Sequence, residues 1–441
     1  MSKIGILKTS DGTPKSSNRV QFRVPLSVKT TLSEYVKGSD NRVYQETVSL
    51  IKDNHIVDED LLTLLKEVRS LVPILDKKVK LFVQVFLHIP WAHRYGPVVE
   101  EYQNFLLDLL AAHNYYVEFA FDVLVKNFRK VDPCAEEADL VPTQYEKNIS
   151  ENVQKVLRNI LKVIPLSQHL LIKQCQSQYP YTCLPAREQE LYAGNLLALS
   201  KHQPSLRFPL LKVIFAKMIL LDINSPLEEV IAMEEDEDDD EEEEATKTND
   251  DATTTISASL TGRPLVKRPG TEGMRHPLAN TLDRKMVRLF SFIKSECSSA
   301  AQENEPNSLA IVSLEESSTS REGMDHPEKQ AQCNNLNKQI NWSSAQSMFE
   351  EIKEAFSHLI LPTHGSHHIQ FLIFYMAAGG LSSDPTADKG QTWLRFAESF
   401  IALLWGRGSN PNISPVERLA ALGYLSSFIA RSKLLPLRCD I

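Results

Sequence analysis

From Thr31 onward, apolar residues recur along the chain at helical spacing, and the stripes they form predict an all-α protein. Leu61, Leu62, Leu65, Val68 and Val72 make one stripe, halted before Pro73, and Val79, Phe82, Val83 and Phe86 make the next, halted before Pro90. Val98, Tyr102, Phe105, Leu106 and Leu109 form a third, and Tyr116, Phe119, Ala120, Val123 and Leu124 a fourth. Each follows the i, i+3, i+4, i+7 rule, with no alternating strand pattern in competition. Proline stops these helices because it pushes the residue before it out of the α region. The pattern continues through Val153–Val163, Glu188–Leu199 and Phe208–Leu221, and resumes at Leu278–Lys294, Ser343–Ile360, His367–Ala378, Thr392–Leu404 and Val416–Leu434. Helix pairs recurring roughly every 40 residues mark HEAT or armadillo repeats. The expected fold is therefore all-α, a HEAT/armadillo-like helical repeat array.

Interruptions of the pattern divide the chain. Residues 1–30 are polar and basic and are expected to be disordered, and residues 31–232 carry the first helical repeats. Residues 233–275 are acidic, then Ser/Thr- and Pro-rich; they cannot bury enough apolar area to offset a chain entropy of roughly 1–2 kcal/mol per residue. This tract reads as a disordered loop inside the array. A helix is expected at 276–297, a second disordered loop at 298–342, and further repeats at 343–441.

Charge changes this picture in one respect. The net charge is −9, yet Glu234 to Glu244 is an unbroken run of eleven acidic residues, so the remainder carries −9 + 11 = +2. The run reads first as a solvated spacer and second as a competitor for basic surfaces. The six cysteines (Cys134, Cys175, Cys183, Cys297, Cys333 and Cys439) form no C-x-x-C pair and match no zinc module, which suits reduced thiols inside the cell. No signal peptide or membrane-spanning run is legible, and no membrane partner is expected.

The chain is organised around Leu361 to Met376. Pro362 ends one helix, Thr363 or Ser366 is placed to cap the next, and Ile369, Leu372, Ile373 and Met376 form its buried stripe, widened by Phe371, Phe374 and Tyr375. His364, His367 and His368 make the one metal-like cluster; 364 and 368 would share a helix face, but the third and fourth ligands would have to come from elsewhere, and no Cys or acidic residue lies nearby. Capping and packing is the favoured reading, with no metal and no cofactor. Nucleotide-binding glycine loops and the G-x-S-x-G elbow are missing, so nothing points to an enzyme and no catalytic residue is assigned.

Leu361-Pro362-Thr363-His364, then His367, Gln370-Phe371 and Phe374-Tyr375, resembles the central signature of the growth-regulated RNA polymerase I-specific transcription initiation factor family. Two further segments agree in family order: Ile89-Pro90-Trp91 with Val98-Val99-Glu100-Glu101-Tyr102 and Phe105-Leu106, and Tyr424 to Lys433 followed by Pro436-Leu437. Weaker echoes lie at Val20 to Gly38 and from His276-Pro277 to Lys294. The resemblance implies a non-catalytic factor that binds RNA polymerase I and bridges it to promoter-bound initiation factors for ribosomal RNA synthesis. It further implies regulatory kinases, a nuclear and nucleolar location with cytoplasm also allowed, and a homodimer as one form, while direct DNA contact stays open. Family members place a Ser/Thr-bearing turn where this chain has Ile164-Pro165-Leu166-Ser167, which makes Ser167 the first candidate phosphosite. Ser225, before Pro226, and Ser313, with Glu316 three residues on, are weaker candidates; for all three the alternative is an ordinary capping serine. Relatives continue past Pro436-Leu437 into more repeats, so the sequence reads as a C-terminally short form. Its last helix is expected to leave an apolar side open. A generic helical-repeat scaffold or nuclear transport adaptor fits composition and periodicity equally well.

Overall fold

The computed structural model describes residues 27–38, 41–53, 56–135, 141–226, 228–233, 274–298, 340–363, 366–381 and 392–432. These are helical, with no strand among the described residues beyond one isolated bridge between Ser298 and Ile340. The fold is an all-α helical-repeat fold. It divides into two compact units: Met1–Asn127 with Gln144–Gln174, and Phe128–Thr143 with Cys175–Ile441.

In the first unit, α1 (Val28–Val36), α2 (Asn41–Asp53), α3 (Asp58–Ser70), α4 (Lys80–Leu87), α5 (Pro97–Ala112), α6 (Val117–Lys126) and α7 (Gln144–Val163) pack on near neighbours in sequence. Most of the predicted stripe positions face inward: Leu61, Leu65, Val68, Phe82, Phe86, Phe105 and Leu109 are buried, whereas Leu62 and Phe119 are only partly so. Phe86 meets Phe105 edge-on at 5.0 Å, a favoured ring geometry. Asp58, Glu59 and Asp60 fill the first turn of α3, where carboxylates suit the positive helix end.

After α8 (Gln168–Ser177), which runs across the unit boundary, the second unit contains α9 (Ala186–His202), α10 (Arg207–Ile223), α11 (Pro277–Cys297), α12 (Trp342–Ala355), α13 (Gln370–Ala377), α14 (Thr392–Ser409) and α15 (Pro415–Arg431). α11 packs on α9 and α10, α12 on α10 and α11, and α14 between α13 and α15. Ions stitch these helices: Arg207 holds Glu351 at 2.6 Å, and Arg284 and Arg288 share Glu190 at 2.6 Å each. The flanks of residues 234–273 lie together, since Arg275 Nη1 donates to the Met233 carbonyl at 3.1 Å. Those of 299–339 do likewise, with Asn341 N donating to Cys297 O at 2.8 Å.

Several boundaries differ from the sequence reading. The helix expected over His367–Ala378 begins later, at Gln370, and the N–H groups of His367, His368 and Ile369 before it are held by the Asp222 carboxylate. The helix expected over Ser343–Ile360 leaves α geometry at Phe356, where Phe356–Ile360 forms a π-turn and Leu361 N reaches back to Phe356 O at 2.9 Å. Pro362 has no N–H to continue the ladder, and the wider turn ends the helix there. Phe371, expected inside, is half-exposed under the Arg431 guanidinium at 5.7 Å. Along α15, Ala421, Leu425 and Phe428 are buried, whereas Val416, Leu419, Leu422 and Ile429 are exposed.

Candidate functional site

The signature segment and α10 meet at one buried carboxylate. Asp222 lies in the last turn of α10 and is fully buried. Oδ2 accepts from Ser366 Oγ at 2.7 Å and from the backbone N–H groups of His367 at 2.9 Å, His368 at 3.0 Å and Ile369 at 3.3 Å. Oδ1 takes His368 Nδ1 at 2.8 Å. These N–H groups precede α13 and would otherwise be orphans of its first turn. The helix is therefore capped from another helix, and the expected local caps act differently. Ser366 donates to the carboxylate, and Thr363 Oγ1 donates to Leu359 O at 2.6 Å.

Burial alone pushes the Asp222 carboxyl up; the hydrogen bonds from His368 and Ser366 outweigh it and hold the group below the usual carboxylate range. A carboxylate with its lone pairs so occupied has none left for a substrate proton or a metal. Among the described residues no group of three or more His, Cys, Asp or Glu is placed to hold a metal. His364 lies outside the described residues.

The third matching segment packs on the first. Phe428 lies 5.1 Å from Phe374 and 5.2 Å from Phe400, and Tyr424 meets Phe356 edge-on at 5.2 Å. A groove of about 480 Å³ remains between this corner and α15, with Thr363, His367 and Gln370 on one side and Val416, Leu419 and Tyr424 on the other.

The second matching segment builds a corner of its own in the first unit. Trp91 is buried and stacks on Tyr102 at 4.5 Å, and Tyr102 donates to Leu87 O at 2.9 Å. The buried Arg94 side chain donates to Pro90 O at 2.9 Å, Ile56 O at 2.8 Å and Asp58 Oδ1 at 2.6 Å. From α7, Asn148 Nδ2 donates to His93 O at 3.1 Å, and Asn152 Nδ2 to Ala92 O at 2.9 Å. Gly96 leaves the corner at φ +65°, a region open to glycine, and Pro97 starts α5.

Among the described residues, no hydrogen bond joins Ser167 and Ser225. Ser167 is 2% exposed, and its hydroxyl donates to Ile164 O at 2.6 Å, closing the turn Pro165–Ser167. Ser225 is fully buried and donates to Leu221 O at 2.7 Å. Ser313 and the acidic run lie outside the described residues. Sequence reasoning missed Asp222 and Arg94; their only local signals are a carboxylate in an apolar helix end and an arginine in an apolar turn.

Residues 23–439 match the model of the family described as RNA polymerase I specific transcription initiation factor RRN3. The chain belongs to the RRN3 family. The mouse RNA polymerase I-specific transcription initiation factor RRN3 is 24% identical over 424 residues, covering 93% of this chain and 56% of the mouse protein. The corresponding Schizosaccharomyces pombe factor is 22% identical over 371 residues, covering 82% of this chain and 51% of its own length. The chain thus matches about half the length of these RRN3 relatives. A crystal structure of RNA polymerase I transcription initiation factor Rrn3 shares the fold, with a TM-score of 0.58 at 16% identity over 93% of this chain and 64% of that one. Among the described residues no helix is long and apolar enough to cross a membrane.

Proposed function

We propose that this chain is a non-catalytic initiation factor that binds RNA polymerase I and bridges it to promoter-bound factors for ribosomal RNA gene transcription. The observation that carries this reading is the family match over residues 23–439. The two corners fit it: among the described residues the signature segments tie helices together through Asp222 and Arg94. Within each unit the packed helices offer exposed faces on which a partner protein could dock, which suits bridging. Work at ribosomal genes would call for a nuclear and nucleolar location.

Phosphorylation is the proposed switch, with Ser167 the first candidate and Ser225 and Ser313 behind it. A phosphate adds about −1.5 to −2 charge at pH 7. The Ser167 hydroxyl is enclosed, so a kinase reaches it only when the turn Pro165–Ser167 opens, and the phosphate then keeps the turn open. The modification would act by loosening the start of α8.

The test is affinity purification of the tagged chain from nuclear extract, read by mass spectrometry. RNA polymerase I subunits should be enriched, and Ser167→Asp should lower their yield while Ser167→Ala keeps it. Recovery of import receptors without polymerase subunits would instead favour a transport adaptor, and equal yields from both variants would remove Ser167 from the switch.

A further inference from the structure

The first unit holds a cleft of about 470 Å³ that neither corner uses. Lys77 and Lys80, from the turn before α4 and its first residue, form one wall, and Glu118 and Asp122 of α6 the other, with Tyr115 and Phe119 between them. Both carboxylates already have counter-ions: Lys173 on Glu118 and Lys126 on Asp122, each at 2.7 Å. Asp76, near enough to Tyr115 to push its phenol up, accepts from the Lys78 backbone N–H at 2.8 Å. Lys77 and Lys80 have no carboxylate in salt-bridge contact among the described residues; Lys77 instead lies 5.1 Å over the ring of Tyr115. Counting Lys77, Lys78, Lys80, Lys126 and Lys173 against Asp76, Glu118 and Asp122, 5 − 3 = 2 positive charges are left over, on the side of the cleft at the start of α4. Tyr115 is 42% exposed, a large ring open to solvent beside them.

We propose that this cleft docks an acidic peptide segment of a partner protein, one with an aromatic or large apolar side chain between its carboxylates. The carboxylates would meet Lys77 and Lys80, and the apolar side chain would lie on Tyr115 and Phe119. Exposed ion pairs are individually weak and screened by salt, so the aromatic floor has to supply part of the affinity. A nucleic-acid strand fits less well: its continuous phosphate charge needs an extended basic track, and the facing wall carries Glu118 and Asp122. The cleft is independent of the polymerase reading, because a peptide can bind here whichever assembly supplies it.

The experiment uses the full chain and a labelled short peptide of repeating Glu-Glu-Phe, followed by fluorescence anisotropy at low and moderate salt. Saturable binding that weakens with salt is expected. Lys77→Glu/Lys80→Glu should weaken it about tenfold or more, and Tyr115→Ala about threefold. Both lysines are exposed, so the double variant should keep the wild-type unfolding midpoint, which separates lost binding from lost fold. A Lys-Lys-Phe peptide should not bind. The proposal is overturned if the acidic peptide binds the double variant as well as wild type, if the basic peptide binds equally, or if a short oligothymidine displaces the probe at lower concentration than unlabelled peptide does.

Discussion

The two corners solve opposite halves of one problem. Where the chain turns between helices, backbone groups lose their helical partners and cannot be left buried and unpaired. At residues 366–369 the exposed half is N–H, and one anion, Asp222, collects it. At residues 90–94 the exposed half is C=O, and cationic or amide donors collect it: Arg94 from within, Asn148 and Asn152 from α7. One carboxylate gathers several donors because its two oxygens offer about four acceptor sites. Carbonyls spread along a turn need several donor side chains. The first corner therefore has a single point of failure, and the second shares its donors among three residues.

The largest expected effect follows from that difference. Asp222→Ala strands the buried N–H of Ile369, the part-buried N–H groups of His367 and His368 and the Ser366 hydroxyl, and should destabilise the second unit by about 3–5 kcal/mol, the sum of several stranded groups at roughly 1–3 kcal/mol for each one fully buried. Asp222→Asn keeps the shape but loses the charge and should cost less. Phe374→Ala, at the ring cluster beside this corner, should cost about 3–5 kcal/mol, whereas Phe371→Ala should cost clearly less because its ring is half-exposed. Urea unfolding of each variant reads these values. Arg94→Ala should come next, at about 2–4 kcal/mol, since it strands two carbonyls. Asn152→Ala should cost about 1 kcal/mol, the value of one shared donor. Equal losses for Asp222→Ala and Asn152→Ala would erase the distinction between the corners.

The anion corner also predicts acid sensitivity. The Asp222 carboxyl lies below its usual value when folded, so its contribution is present above the unfolded value near pH 4 and is lost as pH falls through the folded one. Asp222→Asn should remove that part of the acid slope. Lys285 of α11 gives the opposite edge. Burial, with Lys217 adding to it, holds the Lys285 amine down to about 7. Its Nζ donates to Gln189 Oε1 at 2.9 Å and lies 5.3 Å over the Tyr179 ring, with the Glu190–Arg284–Arg288 cluster on the same helix pair. Between pH 7 and the unfolded value near 10.4 the unfolded chain binds this proton more readily, so stability rises with pH by up to about 1.4 kcal/mol per unit. Lys285→Met should flatten that slope.

The smallest expected effect concerns residues 234–273. Their flanks already meet through Arg275 and Met233, and closure entropy depends weakly on loop length. Replacing the tract by a short linker should move the thermal midpoint little. A large drop would place a stabilising contact in the tract.

What the sequence disclosed was local. The stripes of α3, α5 and α6 lie where Leu65, Phe105 and Leu124 said they would, because helical period and burial are read from neighbours. Pro362 and Pro90 marked real stops. The cap of α13 was not legible, because its acceptor sits 144 residues earlier than Ser366 and nothing near the signature announces it. Lys285 was hidden for a related reason: between Leu282, Met286 and Leu289 it occupies a position that reads as solvent-facing, and α9 covers it. Phe371 was misplaced because an aromatic-rich helix looks apolar on every side until its neighbours are known.

The claim that the signature is a structural clamp is tested most directly by amide hydrogen exchange at His367, His368 and Ile369 in the full chain. The account predicts slow exchange at all three in the wild type and a marked loss of protection in Asp222→Asn. Fast exchange in the wild type, or protection unchanged in the variant, would contradict it.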